Sequence, residues 1–302
     1  MNRRLFFKRS CEGFIFLTCP IIFSGCNDRK ILRFGMVTDL HYARRDSYGT
    51  RYFSQSKDKL TEAISLFNKE KPDFIIELGD FKDQDEVPDK INTISYLKEI
   101  EKTLQSFDGP VYHVLGNHDM DNISKDDFLQ HIRNGTKNLK KSYYSFVINQ
   151  VKFIVLDANY NEDGSDYDSG NFDWTKAYIP DKQKKWLADE LTEELPVIIF
   201  IHQLLDSFSG IDKKLCVANA KEVVAILEQS NTVLAVFQGH HHAGQYSYRN
   251  GIHYFTMKGL IEGSMPDNNS FAMVEIDKEL NIYLKGFYNC EDKNMPQQIW
   301  AD

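Results

Sequence analysis

The chain has 302 residues, 42% of them hydrophobic and 26% charged, with a mean hydropathy of -0.45. That is material for one sizeable core or two modest ones, and it excludes a disordered chain. The formal charge is -8 and no basic block follows residue 10, which argues against non-specific binding to nucleic acid.

Residues 1–26 read as an export signal rather than as part of the fold. Residues 2–9 are basic and residues 13–23 apolar. Phe23-Ser24-Gly25-Cys26 resembles the box at which bacterial lipoproteins are cut and lipidated on the new N-terminal cysteine. A plain signal peptide or an uncleaved anchor is the alternative, although the apolar run is short for a spanning helix. Arg3-Arg4, followed by Leu5-Phe6-Phe7-Lys8, resembles a twin-arginine signal, a route that carries folded proteins. This predicts an exported bacterial protein, periplasmic or at the outer membrane, with membrane attachment through Cys26. Residues 1–25 carry a net +3, so their removal would take the charge from -8 to -11. After processing Cys216 and Cys290 remain, without zinc-site spacing; they either pair in an oxidising compartment or stay as two buried thiols.

Residues 31–38 predict a buried strand ending at Asp39, followed by a loop, 41–53, rich in Arg and Tyr. A helix is predicted over 57–69, where Leu60, Ile64 and Phe67 share a face. Lys71-Pro72-Asp73 breaks it, and strand 74–78 runs into Gly79-Asp80. A second helix, 89–106, has Ile94, Leu97 and Leu104 inward. Strand 111–115 then leads into Gly116-Asn117-His118-Asp119. Strands 143–148 and 151–157 read as a hairpin, and 158–179 as an acidic loop rich in Gly and Tyr. Helix 181–194 turns Trp186, Leu187 and Leu191 inward, and strand 196–201 delivers His202. Asn219 and Glu222 resemble a capping box opening a helix to residue 229. Strand 232–238 delivers Gly239-His240-His241-His242, and 252–260, 270–277 and 280–287 read as strands. No repeat or clear linker interrupts the chain, and a single domain over 31–290, the span of the family resemblance given below, with 291–302 as a C-terminal tail, is expected. The pattern predicts an α/β fold of two packed sheets with helices outside.

Asp39, Asp80, Asn117, His202 and His240 each follow the C-terminal end of an apolar strand, the edge where open α/β sheets gather catalytic groups. In order, Asp39-Leu40-His41, Gly79-Asp80, Gly116-Asn117-His118-Asp119, His202 and Gly239-His240-His241-His242 resemble the calcineurin-like metallophosphoesterase family. The resemblance implies two packed mixed β-sheets flanked by α-helices in four αββα layers. It also implies a hydrolase of phosphate esters or diphosphates working with two divalent metal ions. One metal would take Asp39, His41, Asp80 and His242, the other Asp80, Asn117, His202 and His240, with Asp80 bridging. Residues two apart in extended backbone share a face, which supports pairing Asp39 with His41 and His240 with His242; a register using His241 stays open. Two such ions less two aspartates leave a charge of about +2, which draws in phosphate and favours a metal-bridging hydroxide as nucleophile. His118 would hydrogen-bond a phosphoryl oxygen or protonate the leaving oxygen, and Asp119 would orient His118 or hold the loop. Nitrogen and oxygen ligands without a thiolate suit Mn, Fe or Zn. His113, His131 and His253 read as structural or surface residues.

Further stretches resemble the manganese-dependent ADP-ribose/CDP-alcohol diphosphatase branch: Thr38-Asp39-Leu40-His41-Tyr42-Ala43, Arg51-Tyr52-Phe53, Tyr144-Ser145-Phe146, Leu156-Asp157-Ala158, Cys216-Val217-Ala218-Asn219-Ala220 and Lys258-Gly259-Leu260-Ile261-Glu262-Gly263. That implies manganese and a small nucleoside-diphosphate-linked substrate. His41 departs from the branch, whose members typically carry Gln there; an imidazole holds a metal more firmly than an amide oxygen. Arg44, Arg45 or Arg51 would clamp a second phosphate, and Tyr42, Tyr160 or Tyr167 would stack on a base. The rivals are an exported phosphomonoesterase, a phosphodiesterase or nuclease, and an inactive binding protein, which would have lost ligands.

Overall fold

The computed structural model describes residues 30–297. The export signal expected at 1–26, with Cys26, lies outside the described residues. The elements in chain order are β1 (Lys30–Val37), α1 (Ser56–Glu70), β2 (Phe74–Glu77), α2 (Lys90–Leu104), β3 (Val111–His113), α3 (Lys125–His131), β4 (Tyr144–Ile148), β5 (Val151–Val155), α4 (Asp181–Glu190), β6 (Val197–Ile201), α5 (Ala220–Ser230), β7 (Val233–Gln238), β8 (Gln245–Arg249), β9 (Ile252–Thr256), β10 (Ser270–Asp277), β11 (Ile282–Tyr288) and β12 (Lys293–Met295).

They build two six-stranded mixed sheets, ordered β12-β11-β10-β1-β2-β3 and β4-β5-β6-β7-β9-β8. In the first, β1, β2 and β3 run parallel and β10 to β12 antiparallel. In the second, β5, β6, β7 and β9 run parallel, with antiparallel β4 and β8 at the edges. Central strands such as β2, β6 and β7 are buried along their whole length, which is why they read as unbroken apolar runs. The sheets meet through an aromatic layer. Phe34 stacks on Phe74 at 5.0 Å and takes Phe153, Phe200 and Phe237 edge-on. The outer face of the first sheet packs against Leu60 and Phe67 of α1, Leu97 and Leu104 of α2, and Phe128 of α3. Leu187 of α4 with Val223 and Leu227 of α5 cover the second. This is the four-layer αββα arrangement predicted.

Three local expectations are corrected. The expected capping box at Asn219 does not form: its carboxamide accepts from Ile179 N at 3.1 Å and donates to Ile179 O at 2.8 Å, clamping the chain entering α4 instead. The expected tail contains β12, which pairs with β11 through Ile282–Met295, so the fold runs past residue 290. A further strand, β8, follows the histidine run; its half-buried, polar pattern hid it. Cys216 and Cys290 are free, buried thiols in different parts of the core.

Candidate metal centre

The chain leaves β1, β2 and β7 in an unusual way. Asp39, His41, Asp80 and His240 all have left-handed backbone, with φ of 52°, 45°, 55° and 67°. Such conformations are disfavoured for side chains other than glycine and persist where surrounding contacts impose them. Here Asp39 N donates to Gly79 O at 3.0 Å, His41 N to Asp80 O at 2.8 Å, and His240 N to the Asp39 carboxylate at 3.1 Å. This replaces strand alternation as the reason Asp39 and His41 serve one site: the chain has already left the extended region. Gly79, at φ 100°, leaves no room for a side chain, because an added Cβ would lie 2.6 Å from His202 Nδ1. A Cβ on Gly116 would overlap the Asp80 backbone and carboxylate.

These turns assemble metal-capable atoms within 4.8 Å of one another into two groups that share no residue, Asp39, His41 and His242, and Asp80, His202 and His240; a third, His41, Asp83 and His118, overlaps the first. His242 Nε2 lies 3.3 Å from Asp39 Oδ1 and 3.2 Å from His41 Nε2. Asp80 Oδ2 stands between the groups, 3.1 Å from His202 Nε2 and 3.5 Å from His41 Nε2. His241 enters neither group among the described residues. Asn117 Oδ1 and His240 Nε2 are buried without a hydrogen-bond partner among the described residues. A buried unpaired polar atom costs about 1–3 kcal/mol, and a cation at the Asp80, His202 and His240 group would satisfy both. The residues therefore fit two divalent cations, with Asp80 shared.

Behind the ligands stand groups that orient them. His41 Nδ1 faces Asp83 Oδ2 at 3.1 Å, His242 Nδ1 faces Glu262 Oε1 at 2.6 Å, and His202 Nδ1 donates to Leu78 O at 2.8 Å. Each contact turns Nε2 towards the metal position. Asp83 and Glu262 had not been singled out as site residues. They lie 42 and 20 residues from the histidines they orient, and only the fold pairs them.

His118 packs edge-on to His41, with ring centroids 4.6 Å apart. Its Nδ1 bonds Asp121 Oδ2 at 2.8 Å, so the orienting carboxylate is Asp121 and not Asp119. Asp119 is the loop clamp, accepting from Gly116 N at 2.8 Å, Asp80 N at 3.1 Å and Phe81 N at 2.9 Å. Burial opposes a charge on His118, but Asp121 and Asp80 outweigh it and raise its pKa to about 10. Burial, with Glu77 and Asp80 nearby, pushes the Asp119 carboxyl up to about 8. Burial beside His202 pushes His240 down to about 3, while Asp80 raises His202 and Asp39 raises His242 to about 9 against the cost of burial. Burial likewise opposes ionisation of Asp80, yet His202 and His118 hold its pKa well below the ordinary range.

The expected substrate contacts divide. Tyr42 and Tyr167 are buried, Tyr42 against Tyr96 and Tyr167 stacked on Phe172 at 4.1 Å, so neither offers a face to substrate. Tyr160 is covered by the Lys125 ammonium, 3.7 Å over its ring. Arg44 is tied to Glu99 by a 2.5 Å ion pair away from the ligands. Arg45 and Arg51 approach the site: Arg45 lies 3.5 Å from Asp83, and Arg51 Nε 4.0 Å from Glu262. Trp174 was overlooked within a loop read as tyrosine-rich; its ring lies 5.7 Å from that of His240.

Comparison with known proteins agrees with this geometry. A family model described as calcineurin-like phosphoesterase matches residues 32–244. The chain is 27% identical over 288 residues to a manganese-dependent ADP-ribose/CDP-alcohol diphosphatase of Oryza sativa subsp. japonica, covering 82% of this chain and 88% of that one. It is 26% identical over 308 residues to the protein of the same name from Bos taurus, covering 83% and 90%. The crystal structure of a dimetal phosphatase from Danio rerio shares the fold, with a TM-score of 0.76 at 20% identity over 89% of this chain and 100% of that one. With the matched segment spanning most of the chain and containing both metal-capable groups, the protein belongs to the calcineurin-like phosphoesterase family and is a metal-dependent phosphoester hydrolase.

Proposed function

We propose that the protein cleaves the diphosphate bond of a small nucleoside-diphosphate-linked substrate of the ADP-ribose or CDP-alcohol type, with manganese in both metal positions. The observation that carries the reading is the pair of metal-capable groups with Asp80 standing between them, bordered by Arg45 and Arg51. The names of the two relatives support the substrate class and the metal. Iron and zinc suit the same donors.

Bound at these residues, divalent cations supply positive charge for the phosphoryl oxygens and activate water at neutral pH. The chain supplies the rest. Asp119 holds the loop that carries Asp80 in place. His118, fixed through Nδ1 by Asp121, would present Nε2–H to the leaving phosphate oxygen when doubly protonated. Arg45 and Arg51 would hold the second phosphate through their guanidinium forks.

The test restores Mn²⁺, Fe²⁺ or Zn²⁺ to metal-free protein and offers ADP-ribose, CDP-choline, AMP and glycerol phosphate. Release of AMP and CMP from the diphosphates, abolished by Asp80→Asn, is the expected result. Free phosphate from the monoesters with the diphosphates untouched would establish a phosphomonoesterase instead. We further propose export, with membrane attachment through lipidated Cys26, on the sequence of residues 1–26 alone. Mass spectrometry of the protein from membranes should show residues 1–25 removed and an acylated Cys26; an intact N-terminus would refute it.

A further inference from the structure

Loop 158–179 brings Trp174 beside His240, and it is pinned along its length. Gly170 N donates to Met120 O at 3.0 Å, Tyr178 N to Ala158 O at 3.0 Å, and Ala218 N to Ala177 O at 2.7 Å. Inside it the 3-10 turn Trp174–Lys176 is capped by Asp173, which accepts from Thr175 N at 3.1 Å and Thr175 Oγ1 at 2.6 Å. The backbone around Trp174 is thus held while its side chain stays 43% exposed. The indole meets His240 at an interplanar angle of 63°, and His240 packs 5.1 Å from His202. Core packing does not require this ring; what it does is present an aromatic face beside a metal-binding histidine. The neighbouring turn, Lys213–Leu215, carries Lys213 and Lys214, neither ion-paired among the described residues, beside its capping Asp212.

We propose that Trp174 is the platform on which the substrate's aromatic base stacks while its phosphates lie at the metal-binding residues. This rests on the diphosphatase reading for the phosphates and adds a specificity determinant to it. Every base has a π face, so such a platform separates base-bearing from base-free phosphates without choosing between purine and pyrimidine. That is the tolerance a site for both adenosine and cytidine derivatives needs.

The test is calorimetric binding of AMP and of ribose 5-phosphate to the manganese-loaded full chain, for the wild type, Trp174→Leu and Trp174→Phe. The wild type should prefer AMP by about 10- to 100-fold. Trp174→Leu should lose that preference with ribose 5-phosphate binding unchanged, and Trp174→Phe should keep most of it. A preference untouched in Trp174→Leu, or equal weakening of both ligands, would overturn the platform. Binding and turnover separate the two proposals. Base discrimination through Trp174 without diphosphate cleavage would refute the substrate assignment and keep the platform. Diphosphate cleavage with the Trp174→Leu preference intact would refute the platform alone.

Discussion

At the scale of single residues, three of the four candidate metal-binding histidines, His41, His202 and His242, are held from behind. Glu262 is the sharpest case, with one short contact to His242 and an approach by Arg51. Glu262→Gln should lower manganese affinity by about 10- to 100-fold with the fold intact, as titration calorimetry would show. Unchanged affinity would mean that packing alone orients His242. His118 makes a different demand. His118→Asn should leave metal content unchanged and reduce kcat by about 100- to 10,000-fold. The loss should shrink for a substrate with a good leaving group, such as a p-nitrophenyl ester, which needs less protonation. Equal losses on both would remove His118 from the leaving-group side. The candidate ligands were legible because they lie at or just past the ends of apolar strands and carry chemistry in their residue type. Asp83, Asp121 and Glu262 were not: surface acids look the same in a sequence, and only their orientation towards a histidine gives them a role.

At the scale of elements, a buried chain of charges ties the strands beneath the site to the helix above. His113 on β3 lies 3.2 Å from Glu77 on β2 and 3.2 Å from Glu101 on α2, while Glu77 accepts from Gly79 N at 2.5 Å. His113 had read as a structural residue, and this is the structure it serves. Burial disfavours its charge, but Glu101 and Glu77 raise its pKa from 6.5 to about 10. A histidine with a raised pKa binds its proton more tightly folded than unfolded. Its contribution is therefore complete below pH 6.5 and is lost as pH rises through 10. Glu77, pushed up by burial, acts in the same sense. His113→Gln should cost about 3–5 kcal/mol at pH 7, the usual penalty for stripping one partner from a buried pair. Urea midpoints at pH 7 and pH 10 should fall less between those values in the variant than in the wild type. Equal slopes would show that His113 is neutral in the fold. On α1, Lys59 plays a comparable part, donating to Leu260 O at 2.8 Å, Glu262 O at 3.0 Å and Gly263 O at 2.7 Å, which anchors the loop that carries Glu262.

At the scale of the whole molecule, the two sheets bring their strand ends to one edge, and the metal-binding residues come from both. Cations bound there join the halves, so metal should stabilise the fold and not only the site. A ligand at 100 times its Kd contributes about 2.7 kcal/mol per site, and each kcal/mol moves Tm by about 2–4 °C at this size. Chelation should accordingly lower Tm by at least about 5 °C, and Asp80→Asn should show a smaller shift. A Tm indifferent to chelator would mean that the sheets hold the centre without help from metal. The sequence alone determined the α/β class, most strands and helices, and the metal-capable residues, because apolar periodicity and residue chemistry are local properties. Only the tertiary structure decided that Tyr42 and Tyr167 are core, that Asp119 clamps a loop while Asp121 serves His118, and that β12 belongs to the sheet. Those outcomes depend on which groups meet across tens of residues, and in the case of Asp39 and His41 on a left-handed backbone that only packing imposes.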